Sequence, residues 1–303
     1  MRGMRVLLLL FSLAFSQVPA QRTANPADRG LTDADFPRVQ QIAPHVYTYE
    51  QLRSAGAERF TTVSLFVVTS AGVLLADGQG SVEETTRLVD TIRKITPTPI
   101  THIIIGSDHG DHTAGNAALP RDAITYAHPT SIAVLSRGGS STFPQTLTPV
   151  ADRTVLTLGG TSIEILFLGR AHTGGDLSVY LPREKVLFMS EAYLHRVFPA
   201  MRSAYPTEWV RAIERAQAMD VVTFVPGHGF VDPADRLKEE LEIFRKALVT
   251  VLTEGRRLHA AGVPIDEAVA RARFGDLETW SLKQSQAATA IRRVYAELNG
   301  QLR

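Results

Sequence analysis

The stretch Ser107-Asp108-His109-Gly110-Asp111-His112-Thr113-Ala114-Gly115-Asn116 sets two imidazoles and a carboxylate within four residues, His109 to His112. Before it stands Thr101-His102-Ile103-Ile104-Ile105-Gly106, a β-branched apolar run that reads as a buried strand, and after it come the small residues of a helix start. Nitrogen and oxygen donors on a loop leaving a strand are what a hard-to-borderline divalent metal requires. A turn at Gly110 lets the flanking side chains point to two different metal positions. A polar loop that merely contains two histidines is the plain alternative. Three further segments weigh against it.

The first is Gly169-Arg170-Ala171-His172-Thr173-Gly174-Gly175-Asp176, just past a predicted strand over Ser162–Leu168. The second is Val186-Leu187-Phe188-Met189-Ser190-Glu191, a strand ending on a carboxylate, and the third is Val225-Pro226-Gly227-His228-Gly229. One histidine after a strand is usually structural; four donor-bearing segments in order, each at the end of a predicted strand, are specific.

Together these segments resemble the metallo-β-lactamase fold superfamily, over roughly residues 42–232. His109, Asp111 and His112 match its HxHxDH signature, with Ser107 where that signature has its first histidine. Gly169–Gly175 is similar to the G-x-x-H-T-x-G motif and nominates His172; Val225–Gly229 is similar to the closing PGHG and nominates His228. Where the family usually has Gly-Asp, this chain has Ser190-Glu191. The resemblance implies His109 and His172 on one metal and Asp111, His112 and His228 on the other. Glu191 takes the place of the bridging Asp, one methylene longer, so it either bridges or grips a single metal. Asp111 doubles as the candidate catalytic carboxylate. Asp77, after a strand, is either a hydrogen-bond acceptor for a ligand imidazole or a simple turn residue.

The implied fold is α+β, a four-layer αββα sandwich with a helical C-terminal extension. Hairpins are expected around Ser70-Ala71-Gly72 and Gly159-Gly160, and a helix from Ser81, a capping residue with Glu84 three positions on, through Ile95. Residues 21–40 read as an irregular lead-in and 138–149 as an exposed loop. Beyond Pro233 the chain reads as helical: Leu237, Leu241, Phe244, Leu248 and Val251 form one apolar stripe. The expected organisation is a leader over 1–20, the sandwich over 21–232, and helices over 233–303 packed on the same domain.

Arg2 and Arg5 precede the apolar run Val6–Phe15 and the small-residue pattern ending at Ala20. That is the pattern of a cleaved signal peptide, with an uncleaved anchor the minor alternative. Export to a periplasmic or extracellular space follows, with no stable membrane insertion after cleavage. Losing two arginines and no acid takes the formal charge from +1 to −1. Without a basic footprint, nucleic acid is not the expected partner; a small-molecule substrate is. The chain has 0 cysteines, which excludes disulfides, thiolate ligands and a catalytic thiol. A hydrophobic fraction of 44% over 303 residues supplies a core without them.

The function implied is an exported metal-dependent hydrolase. A bound Zn²⁺ lowers the pKa of its water to about 7 and polarises a carbonyl in an ester, lactone, amide or β-lactam. The deficit at Ser107 predicts one tight and one weak metal site, the weak one open to Mn²⁺ or Fe²⁺. The reading from another class is a metal- or small-molecule-binding protein of this fold without turnover. Of the other histidines, His45, His102 and His259 read as structural or surface residues, while Tyr193, His195, Arg196 and His128 are candidates for lining a substrate pocket.

Overall fold

The computed structural model describes residues 22–137 and 146–302. The expected leader and residues 138–145 of the expected loop lie outside those residues. The first sheet begins as an antiparallel meander of β1 (Arg38–Ala43), β2 (Val46–Ala55), β3 (Glu58–Thr69) and β4 (Gly72–Ala76). Gly72 closes the predicted hairpin at φ 148°, where an added Cβ would strike the Thr101 side chain. The lead-in is more ordered than its sequence suggests. β1 lies on the sheet edge and its residues are at most half-buried, so Arg38-Val39-Gln40-Gln41 carries little apolar signal.

Helix α1 (Val82–Ile95) starts where predicted, the Ser81 hydroxyl accepting from Glu84 N at 3.1 Å. The reciprocal half of the capping box is not made; Glu84 binds Arg53 at 2.5 Å instead. After it come β5 (Ile100–Ile104), the short α2 (Gly110–Thr113), β6 (Ile124–Ala127), α3 (Pro129–Arg137) and β7 (Leu147–Pro149). Strands β4 to β7 pair in parallel, completing a seven-stranded sheet in sequential order.

The second sheet has five strands in the order β12-β11-β10-β9-β8. They are β8 (Arg153–Leu158), β9 (Thr161–Phe167), β10 (Leu177–Leu181), β11 (Val186–Phe188) and β12 (Thr223–Val225), with α4 (Pro206–Gln217) crossing between the last two. Alternation along β4 shows how the layers form. Leu74 and Ala76 enter the core between the sheets, whereas Val73 and Leu75 join Leu88, Val89 and Ile92 of α1 in the outer core. Trp209 and Ile213 of α4 cover the other side. The result is the expected α+β fold, two sheets face to face with helices outside.

Helices α5 (Ala234–Ala260), α6 (Ile265–Arg271) and α7 (Lys283–Leu298) follow. All five residues of the predicted stripe are fully buried, and α5 packs on α4 and β12. The extension shares the inter-sheet core cluster. No helix among the described residues is long and apolar enough to cross a membrane.

Candidate metal centre

Five chain segments leave the two sheets at one edge, after β4, β5, β9, β11 and β12, and each delivers one part of the site. The loop after β5 is folded around Asp77, which follows β4 with φ 63°. The buried Asp77 carboxylate accepts from Gly106 N at 2.7 Å, Ser190 Oγ at 2.5 Å and His112 Nδ1 at 3.0 Å. A Cβ on Gly106 would run into the Ser190 side chain, so glycine is required there for the two strand ends to approach. His112 then lies in the single turn of α2, with His109 as its N-cap residue.

Two groups of donors meet in this space. Asp111, His112, Glu191 and His228 form one, and His109, His172 and Glu191 the other; within each, the ligand-type atoms lie within 4.8 Å of one another. Glu191 belongs to both. Its Oε1 is 3.0 Å from His228 Nε2 and 3.1 Å from His172 Nε2, and its Oε2 is 3.1 Å from His109 Nδ1. Asp111 Oδ2 lies 3.2 Å from His228 Nε2. Of the two arrangements open to Glu191, the geometry is that of a shared carboxylate. Ser107 adds no ligand nitrogen; its hydroxyl hydrogen-bonds Glu191 Oε2.

The imidazoles are held from behind. His112 Nδ1 meets Asp77, His228 Nδ1 meets Thr61 O at 2.9 Å, and His109 Nε2 meets Ser203 Oγ at 3.3 Å. Such contacts fix each tautomer and turn the opposite nitrogen inward. His112 Nε2 is buried, faces the centre and has no hydrogen-bond partner. An orphaned inward nitrogen costs free energy unless something accepts its lone pair. With four imidazoles and two carboxylates converging, the donor set fits divalent metal.

The charges agree. Burial would raise Glu191, but the His172 and His109 charges outweigh it and hold the carboxylate well below its usual range. Burial disfavours charge on His228, yet the hydrogen bonds its ring donates to Asp111 and Glu191 push its pKa up to about 10. His109 is likewise lifted to about 9 by Glu191 against its own burial. The carboxylates attract protons to the same nitrogens that would take a cation, so metal uptake here releases protons.

Tyr193 and His195 do not line the site. Tyr193 is extended and Leu194 bridges His228 just before a turn at His195-Arg196; Leu194 faces the cavity while Tyr193 and His195 are fully buried in the interior. Tyr193 packs on Phe244, and His195 Nδ1 meets Phe230 O at 2.7 Å. Arg196 pairs with Glu240, and His128 stacks on Phe167. Asp108 is buried beside the site, outside the cavity lining.

A cavity of about 380 Å³ opens above the donors His109, Asp111, His172, Glu191 and His228. Its walls carry Arg53 and Phe60 from the β2–β3 hairpin, Leu194 and Arg202 from the segment after Glu191, and Leu282 and Gln286 from the start of α7. Ser203 and these wall residues belong to no motif. Arg53, Phe60, Leu282 and Gln286 reach the site from segments distant in sequence from the motifs, and nothing local to them marks their place.

The family model described as the metallo-beta-lactamase superfamily matches residues 58–228. A Bacillus sp. (strain 170) protein named metallo-beta-lactamase type 2 is 26% identical over 213 residues, covering 68% of this chain and 82% of its own length. The 2,4-dinitroanisole O-demethylase subunit alpha of Nocardioides sp. (strain JS1661) is 27% identical over 171 residues, 55% of this chain and 51% of that protein. Among solved structures, a metallo-beta-lactamase from Pontibacter korlensis superposes with a TM-score of 0.62 at 23% identity, over 70% of this chain and 98% of that one. The motifs, the two-sheet architecture and a family match spanning more than half the sequence agree: the chain belongs to the metallo-β-lactamase superfamily.

Proposed function

We propose that the protein is an exported metal-dependent hydrolase acting on a carbonyl-type bond of a small molecule. The observation that carries this reading is Glu191, shared between two groups of largely buried donors beneath an open cavity. His109, His172 and Glu191 would hold one metal, and Asp111, His112, His228 and Glu191 a second. Divalent metal, when bound, supplies Lewis acidity and an activated water nucleophile at neutral pH. Zinc suits the imidazole-rich set best, with Mn²⁺ or Fe²⁺ as alternatives where oxygen donors weigh more.

The chain's own residues do the rest. Asp77 and Thr61 hold imidazoles in the tautomer that presents Nε2. Asp111 lines the cavity and is kept ionised: burial and Glu191 oppose its charge, but the His228 hydrogen bond outweighs them. It is the candidate for orienting the attacking group. Phe60 and Leu194 exclude water from part of the cavity, which strengthens polar contacts inside it. Arg202 brings positive charge to the wall, suited to charge that develops on a carbonyl oxygen, whereas the Arg53 charge is already paired with Glu84.

The test is metal analysis of purified protein, then hydrolysis assays on esters, lactones, amides and β-lactams with a phosphodiester control. Turnover abolished by a chelator and restored by metal is the expected result. Bound metal with no turnover on any substrate would instead favour the binding-only reading. Export rests on the arginine-led apolar run before Ala20; mass spectrometry of the exported form should show a new N-terminus near Gln21, and an intact Met1 would reject cleavage.

A further inference from the structure

We infer that Ser203 is a positioning residue for His109, and that Arg293 of α7 holds it in place. Through this pair the C-terminal extension would help set the affinity of one metal position.

His109 differs from the other three imidazoles. His112, His172 and His228 turn Nε2 toward the centre, but His109 turns Nδ1, 2.9 Å from His172 Nε2 and 3.1 Å from Glu191 Oε2. For Nδ1 to offer a lone pair, the ring proton must sit on Nε2, and there it donates to Ser203 Oγ at 3.3 Å. The neighbouring position is backed more strongly: His112 by the Asp77 carboxylate and His228 by a backbone carbonyl. His172 Nδ1 is buried and has no partner. The serine hydroxyl is therefore the one outer hydrogen bond to an imidazole of the His109–His172 pair among the described residues.

Ser203 lies on the segment between Glu191 and α4, and its backbone is fixed from the extension. Arg293 Nη2 donates to Ser203 O at 3.1 Å, and Nε donates to Ala204 O at 2.5 Å. Arg293 is carried by a helix whose Ala290, Ile291 and Val294 are fully buried, so the guanidinium works from a rigid base. The helix lies outside the stretch that matches the family. Two carbonyls gripped by one planar fork leave the segment little freedom to turn the Ser203 hydroxyl away.

The inference rests on the cluster being a metal centre, not on hydrolysis. The experiment is an equilibrium Zn²⁺ titration of the full chain, wild type against Ser203→Ala, Ser203→Thr and Arg293→Gln. Loss of an outer partner typically weakens metal binding by about 10- to 100-fold. Ser203→Ala should show such a loss at the weaker position alone, Ser203→Thr should recover it, and Arg293→Gln should lose affinity at the same position. Unchanged affinity in Ser203→Ala, equal loss at both positions, or a loss that threonine does not restore overturns the role of Ser203. Unchanged affinity in Arg293→Gln overturns the role of α7. A wild type that takes up no metal defeats the metal-centre reading itself, a different and recognisable outcome.

Discussion

Ser107 hydrogen-bonds Glu191, the carboxylate common to both donor groups. The residue in the seat of a missing histidine thus acts on the shared ligand instead of supplying a ligand of its own. A neutral hydroxyl cannot replace an imidazole, so the His109–His172 position has one nitrogen donor fewer than the family signature provides. Wild type should titrate with two unequal metal affinities. Ser107→His should raise the weaker one by about tenfold or more, equivalent to about 1.4 kcal/mol. Two equivalents bound with equal affinity in wild type would refute the asymmetry.

Asp77 gathers three donors and backs His112. Asp77→Asn keeps the shape but weakens the hydrogen bond that orients the ring. Affinity at the Asp111–His112–His228 position should fall by about 10- to 100-fold while the other position is spared. The check is metal retained after dialysis, variant against wild type.

Glu50 lies fully buried between Arg38 and the Val231 amide, which it accepts at 2.6 Å. Burial raises its pKa to about 7, the Arg38 charge offsetting only part of the effect. The folded chain therefore holds this proton more tightly than the unfolded chain, whose carboxyl titrates at about 4.5. The Glu50 contribution to stability is full below that value, declines as pH rises toward about 7, and is flat above. The swing is on the order of 3 kcal/mol. Glu50→Gln should flatten it, measured as urea midpoints at about pH 5 and about pH 8; an unchanged slope would show that other groups carry it.

Gln286 lines the cavity from α7. Gln286→Trp should fill part of that space and raise KM by about tenfold, the effect of about 1.4 kcal/mol of lost binding. Metal content should stay at the wild-type value. An unchanged KM across every hydrolysed substrate would place the substrate elsewhere.

Phe244 of α5 is fully buried against Tyr193 and Trp209, within the inter-sheet core cluster. Phe244→Ala should cost about 3–5 kcal/mol. If the helices are part of one folding unit, denaturation followed at the sandwich and at the helices will shift together. Two separate transitions would make the extension an independent domain.

The sequence by itself determined the order of strands and the donors that end them. Strand periodicity is local, and so is the placing of a histidine or carboxylate just past a strand; His109, Asp111, His112, His172, Glu191 and His228 were therefore all legible, as was the apolar stripe of α5. The edge strand β1 was not, because a half-exposed strand needs few apolar residues. Tertiary structure alone decided where side chains point and what distant segments bring. Tyr193 and His195 stand next to Leu194 in sequence, yet the bridge of Leu194 to His228 and the turn after it send them inward and Leu194 to the cavity. Ser203 and Gln286 carry no motif, because a hydroxyl or an amide gains its role only from what α7 and the sheet edges place opposite it. Ser107 shows the same division: its identity could be read as a missing ligand, but only packing revealed that its partner is Glu191.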